Sequence, residues 1–129
     1  MGRLSKQVEE FVELVVSGHG VRALERFYAE DVNVFENREL SRAGRDACVA
    51  EERRQLAEMP SAPRARALKV AVNEAEGVAF IEWLFRFVSA EGRPLRLEQV
   101  AVQTWRDGRI VEERFYYEGV VDEGDDDSF

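Results

Sequence analysis

Two long runs facing each other across one tight turn constrain this chain more than anything else in it. Arg96–Arg106 and Arg109–Glu118 flank Asp107-Gly108 and contain LEQVAVQTWRDGRIVEERFYYE. Asp-Gly between alternating apolar residues is a hairpin signal, and strands of about ten residues are roughly twice the usual length. Long paired strands curve around something. Gln and Glu set among large aromatics on such strands suggest that it is a pocket. The strand before them sharpens the face assignment: Ala79, Ile81, Trp83, Phe85 and Phe87 alternate with Phe80, Glu82, Leu84 and Arg86, so the first set should face a core and the second the outside.

The rest of the chain shows what covers that face. Leu4, Val8, Phe11, Val12 and Val15 recur at helical spacing, the stripe of an amphipathic helix. The helix should end at Ser17-Gly18-His19-Gly20. Val21, Leu24, Phe27 and Tyr28 give a short second helix, Asp31–Asn37 a strand, and Gly44 to Glu58 a third helix with a weak stripe. Pro60 and Pro63 break the chain. After them Ala65–Asn73, Val78–Val88, Leu95–Arg106 and Arg109–Glu118 read as four strands joined by glycine-bearing turns. Helices followed by consecutive hairpins indicate α+β, with the helices on one face of a mainly antiparallel sheet.

Composition bounds the function. At 129 residues, with 45% hydrophobic and 34% charged residues, the chain is one soluble domain, spanning 1–121, followed by an acidic tail at 122–129. The net charge is −8 and argues against nucleic acid. Asp122, Glu123, Asp125, Asp126 and Asp127 supply five of the negative charges, and a solvated end is their simplest reading. No apolar run reaches membrane-spanning length, and no secretory signal is visible. A single Cys48 fits a cytoplasmic setting. One histidine and no Cys/His cluster leave no metal site or cofactor to expect.

The turn decides which residues face inward. A two-residue Asp107-Gly108 loop pairs Trp105 with Ile110 and sets Gln103 beside Glu112. A three-residue loop with a glycine bulge pairs Trp105 with Arg109, so that Gln103 neighbours Val111 and Ala101 neighbours Glu113.

Several segments, in order, resemble the SnoaL-like group of the nuclear transport factor 2-like superfamily: RFYAEDVNVFEN, AGRDA opening the third helix, VAFIEWLFRF, and VQTWRDGRIVEERFYYE. The likeness covers roughly residues 5–119. It implies a cystatin-like cone, in which three N-terminal helices and a curved sheet enclose an apolar cavity, and it implies dimerisation through the outer sheet face. The superfamily spans isomerases, epoxide hydrolases, cyclases, dehydratases and proteins without known activity, so fold alone says little about function.

Carried over position by position, the ketosteroid isomerases' carboxylate base falls on Glu36, and their oxyanion donors fall on Phe11 and Ala101, which cannot serve. The epoxide hydrolases' water-holding asparagine matches Asn37, but Phe35 replaces the accompanying tyrosine. Their proton-transfer trio falls on Trp83, Phe85 and Phe115. Both comparisons favour the bulged turn, with Gln99, Gln103, Trp105, Val111, Glu113, Phe115 and Tyr117 inward.

Glu36 is the leading candidate base, since a pocket lined by Trp and Phe would raise its pKa. Glu113 is a weaker catalytic candidate, able with Gln103 to orient a polar group. Phe11, Asn37, Trp83, Phe85, Gln99, Gln103, Trp105, Phe115 and Tyr117 make up the expected ligand pocket. Three functions fit: binding of a small, largely apolar organic molecule; acid–base catalysis through Glu36 on such a molecule; or a non-catalytic dimeric interaction module.

Overall fold

The apolar stripe of the first run forms α1, Arg3–Val16, in a computed structural model that describes residues 2–125. Leu4, Val8 and Phe11 are its buried residues. Gly2 provides no side-chain cap. Instead Glu74, from a distant turn, accepts the backbone N–H of Leu4 (3.2 Å), the backbone N–H of Ser5 (2.9 Å) and the Ser5 hydroxyl (3.0 Å). A carboxylate here satisfies donors that every helix start leaves unpaired and complements the helix dipole. The Ser5 N–H leads the interactions that hold the Glu74 carboxyl below its ordinary range.

α2 spans Gly20–Phe27. The helical spacing had extended it to Tyr28, but Tyr28 is already extended (ψ 135°) and opens β1, Tyr28–Glu36. Both Phe27 and Tyr28 are buried, so the apolar pattern did not mark the change of conformation. β2, Glu39–Ala43, was not anticipated. It returns along β1 after a two-residue Asn37-Arg38 turn that pairs Glu36 with Glu39. α3, Arg45–Glu58, buries only Cys48 and Val49, in line with its weak stripe. β3 (Arg64–Asn73), β4 (Val78–Val88), β5 (Pro94–Arg106) and β6 (Arg109–Tyr116) follow the expected hairpins. A short β7, Val120–Asp122, adds to β5.

The strand order is β2-β1-β6-β5-β4-β3, antiparallel throughout except for a parallel β1–β6 pair. Ala79, Ile81 and Trp83 are buried as expected, and Phe80 is exposed. Phe11, Phe27 and Trp105 meet edge to face, with centroids 5.5–6.5 Å apart, and join the helices to the sheet.

The closing hairpin corrects the expected register. Asp107 (φ 52°) and Gly108 (φ 76°) form a two-residue turn, and Trp105 pairs with Ile110. Positive φ at both central residues twists as the flanking strands do. The extra residue lies further along β6. Val111 has no partner, after which Thr104 pairs with Glu112 and Gln103 with Glu113. The bulge therefore turns Glu113 and Phe115 inward while Ile110, rather than Val111, is fully buried.

The acidic tail is also less detached than expected. Its first residue belongs to β7, and Asp122 pairs with Arg93 at 2.6 Å. Glu123 reaches Arg86 (3.3 Å) and Arg96 (3.9 Å). Residues 126–129 lie outside the described residues.

The remote cap yields a test. Glu74→Ala should lower the melting temperature and speed amide exchange at Leu4 and Ser5, whereas Glu76→Ala in the same turn should do neither. With its folded pKa depressed, Glu74 contributes stability above the ordinary carboxylate range. That contribution should fade as pH falls through the lowered value.

Candidate functional site

Strand register sets the inner face of the sheet. One row runs Arg42, Val34, Glu113, Gln103, Ala79 and Val72 across β2, β1, β6, β5, β4 and β3. The next holds Glu36, Phe115, Ala101 and Ile81. Polar residues thus enter this face from β2, β1, β6 and β5, and apolar ones occupy it on β4 and at Val72 of β3.

The deeper polar group is buried. Glu113 is 1% exposed and Gln103 0%. The Tyr28 hydroxyl donates to one Glu113 oxygen, and the Gln103 amide donates to the other at 2.8 Å. The Trp105 indole N–H donates to the Gln103 carbonyl oxygen at 2.9 Å. This last contact orients the Gln103 amide, so every proton in the chain points toward Glu113. Burial pushes the Glu113 carboxyl up, against the lowering effect of the Tyr28 and Gln103 bonds and of the Arg42 charge. Burial and the neighbouring Glu113 keep the Tyr28 phenol protonated far above its usual range. These groups hold one another, an arrangement that specifies packing.

The second group lies at the open end. The Glu36 side chain is 39% exposed. Its Oε2 accepts from the Ser41 hydroxyl at 2.6 Å, and its Oε1 from the Tyr117 hydroxyl at 3.0 Å. Arg42 stands 3.9 Å from Oε2 and donates to Ser41 Oγ at 3.1 Å. Asn37 leaves the strand with φ 54°. Its N–H donates to the Phe115 carbonyl (2.8 Å), and its side-chain oxygen accepts the Tyr117 N–H (3.1 Å). Two adjacent residues therefore serve one place, Glu36 by its carboxylate and Asn37 by fixing Tyr117. Partial burial, followed by the hydrogen bond to Glu36, raises the Tyr117 pKa and preserves its proton. Glu36, Asn37, Leu40, Ser41 and Tyr117 line a depression of about 510 Å3.

The expected site residues are thus divided. Glu36, Asn37 and Tyr117 come together, with Phe115 beside Glu36 in register. Glu113, Gln103 and Trp105 form the buried chain. Phe11 belongs to the aromatic junction, and Trp83 stacks on Phe85 at 5.4 Å with Gln99 opposite Trp83. The polar partners of Glu36 are two hydroxyls and a guanidinium, and of the expected aromatic lining only Phe115 stands next to it in register.

Sequence reasoning missed Tyr28, assigned to a helix, and Ser41 and Arg42, in an unrecognised strand. Asn37, tolerant of positive φ between two extended runs, was the available signal for that hairpin. Among the described residues no group of three His, Cys, Asp or Glu side chains could hold a metal ion, and no helix is long and apolar enough to cross a membrane.

Comparison with known proteins places this architecture. A family model described as a SnoaL-like domain matches residues 8–113. The chain belongs to the SnoaL-like family. Among solved structures, a candidate SnoaL-like polyketide cyclase from Mesorhizobium loti is 21% identical with a TM-score of 0.75, over 90% of this chain and 100% of that one. A candidate polyketide cyclase from Xanthomonas campestris pv. campestris is 23% identical with a TM-score of 0.75, over 90% of each chain. An NTF2-like protein of unknown function from Burkholderia pseudomallei is 17% identical with a TM-score of 0.76, over 92% of each. These likenesses establish the α+β cone of this SnoaL-like domain. No protein of curated function matches the chain.

The buried chain makes its own prediction. Tyr28→Phe removes a buried donor and should cost about 1–3 kcal/mol in urea unfolding. Glu113→Gln leaves an amide that cannot ionise, so its stability should lack the pH dependence that Glu113 confers on the wild type. Because the folded-state pKa of Glu113 is raised, its favourable contribution is fully present below the ordinary carboxylate value. It is lost as pH rises through the folded value. The stability of the wild type relative to Glu113→Gln should therefore fall with rising pH. A gap independent of pH between 4 and 8 would show that Glu113 does not titrate as its burial requires.

Proposed function

We propose that this SnoaL-like domain binds a small organic molecule at the mouth of its cone and that Glu36 exchanges a proton with it. The observation that carries this reading is the Glu36 carboxylate itself. It faces a depression of about 510 Å3 and is held in place by hydroxyls at 2.6 and 3.0 Å. A depression of this size suits a small ligand. Leu40 offers it apolar contact, and Tyr117 and Ser41 offer polar contact. Glu36 is solvent-accessible, whereas both oxygens of Glu113 are engaged by internal donors. The mouth therefore carries the chemistry, and Glu113 has a supporting part. The related structures described as candidate polyketide cyclases suit a carbonyl-bearing substrate.

A carboxylate acting as general base contributes typically 10²–10⁴-fold to a rate. Glu36→Gln should therefore lower turnover of a responsive substrate by about that factor, with near-normal unfolding behaviour. Unchanged turnover would remove Glu36 from the reaction.

A second property follows from the outer sheet face. Phe80 is 44% exposed, Val100 38% and Tyr116 51%, and register places Val100 between Glu82 and Tyr116. We assign this face to homodimerisation, as apolar residues ringed by Glu82 and Arg114 suit a self-complementary contact. Sedimentation of Phe80→Glu should show a monomer where the parent chain sediments as a dimer.

A further inference from the structure

The relatives that enolise ketones hold the developing oxyanion with groups that fall here on Phe11 and Ala101, neither of which can donate from its side chain. A base without such donors leaves the new negative charge unstabilised, usually the largest electrostatic loss in this kind of catalysis. The mouth of the cone contains donors in different positions. Ser41 and Tyr117 both line the depression, and both donate to Glu36, at 2.6 and 3.0 Å. Arg42 is not part of the lining. Its guanidinium lies behind Ser41 and donates to Oγ at 3.1 Å.

This order of donors is informative. Ser41 Oγ receives an N–H from Arg42, so its own proton is free to point at Glu36. A charged donor on the hydroxyl oxygen polarises that O–H. The 3.9 Å separation of Arg42 from Glu36 is too long for a hydrogen bond. The arginine therefore acts on the carboxylate directly by its charge alone, and by hydrogen bonding only through the serine.

Resting on the proton-transfer reading of Glu36, we propose that Ser41 and Tyr117 form the oxyanion-binding pair of this site, that Arg42 is the positioning residue for Ser41, and that the substrate is a neutral carbonyl compound with an acidic α C–H. The α C–H bond breaks and its proton passes to the Glu36 carboxylate. The electron pair of that bond forms the enolate C=C, and the carbonyl π pair moves to oxygen. Glu36 is then neutral, and the Ser41 and Tyr117 hydroxyls turn from it to the enolate oxygen. One negative charge is present before and after, beside the same guanidinium, so no counter-ion has to move. The reverse transfer returns the proton to carbon. A neutral substrate fits this balance, because Glu36 and Glu39 already outnumber Arg38 among the residues lining the depression.

Deuterium incorporation at the α carbon of 2-tetralone and of 1-indanone in D2O buffer tests the assignment, with chemical-denaturation midpoints measured on every variant. The parent chain should exchange at least one of these ketones above the buffer rate, and Glu36→Gln should not. Ser41→Ala and Tyr117→Phe should each lower kcat by ~10²–10³-fold, the usual effect of losing one oxyanion donor, with KM altered much less. Arg42→Gln should lower kcat toward the Ser41→Ala level and add little in the Ser41→Ala background, whereas Arg42→Lys should recover part of the loss. Exchange lost in Glu36→Gln but intact in Ser41→Ala and Tyr117→Phe would overturn the oxyanion assignment and leave the base standing. Equal losses from Arg42→Gln with and without Ser41 would overturn the positioning role. No exchange of either ketone by the parent chain would overturn the proposed reaction and the oxyanion assignment with it.

Discussion

Burial of the Glu113 carboxyl between two donors and among apolar neighbours is the constraint on which the rest of this domain depends. A carboxyl this deep is tolerable only when hydrogen-bonded, and here its partners come from different parts of the chain. Tyr28 arrives from the start of β1, Gln103 from β5, and Trp105 steadies Gln103 while packing against Phe11 and Phe27. The single unpaired residue Val111 is what turns Glu113 toward them. A one-residue slip would bury Glu112 without partners and expose the aromatic ring of Phe115, so the polar chain also selects one register out of two.

The same register delivers the mouth. Once Glu113 faces inward, Phe115 and Tyr117 do as well, and the parallel pairing of β1 with β6 brings Glu36 next to Phe115. Arg42 belongs to the Glu113 row, one strand beyond Val34, yet its guanidinium reaches Ser41 at the open end. Its positive charge counters the burial of Glu113 and lies close to Glu36. The buried carboxyl and the exposed one therefore share a cation, and a change at Arg42 acts on both packing and mouth.

Much of this was legible in the sequence, for identifiable reasons. The alternation from Ala79 to Phe87 is long and unbroken, so the core face of β4 could be assigned without ambiguity. The helical stripe from Leu4 to Val15 was equally plain. The extra residue in the last hairpin could be inferred, but its position at Val111 could not, because bulges in the turn and in the strand produce the same downstream alternation. Glu36, Asn37 and Tyr117 were identifiable as chemically capable side chains. Ser41 and Arg42 were not, because Glu39–Ala43 is short, polar and largely exposed, with no apolar period to reveal a strand. Tyr28 was hidden by its burial next to Phe27, which extends the helical stripe by one residue. Contacts linking distant segments, such as Glu74 with the start of α1, leave no local signature at all.

The last described strand has a meaning beyond its three residues. β7 occupies the flank of β5 at Leu95–Leu97 after β6 has ended, and Asp122 and Glu123 fasten it to Arg93, Arg86 and Arg96. An uncovered strand flank offers free N–H and C=O groups to any other chain. The acidic residues that read as a solvated appendage thus act as a clasp, keeping a short strand over an otherwise adhesive edge.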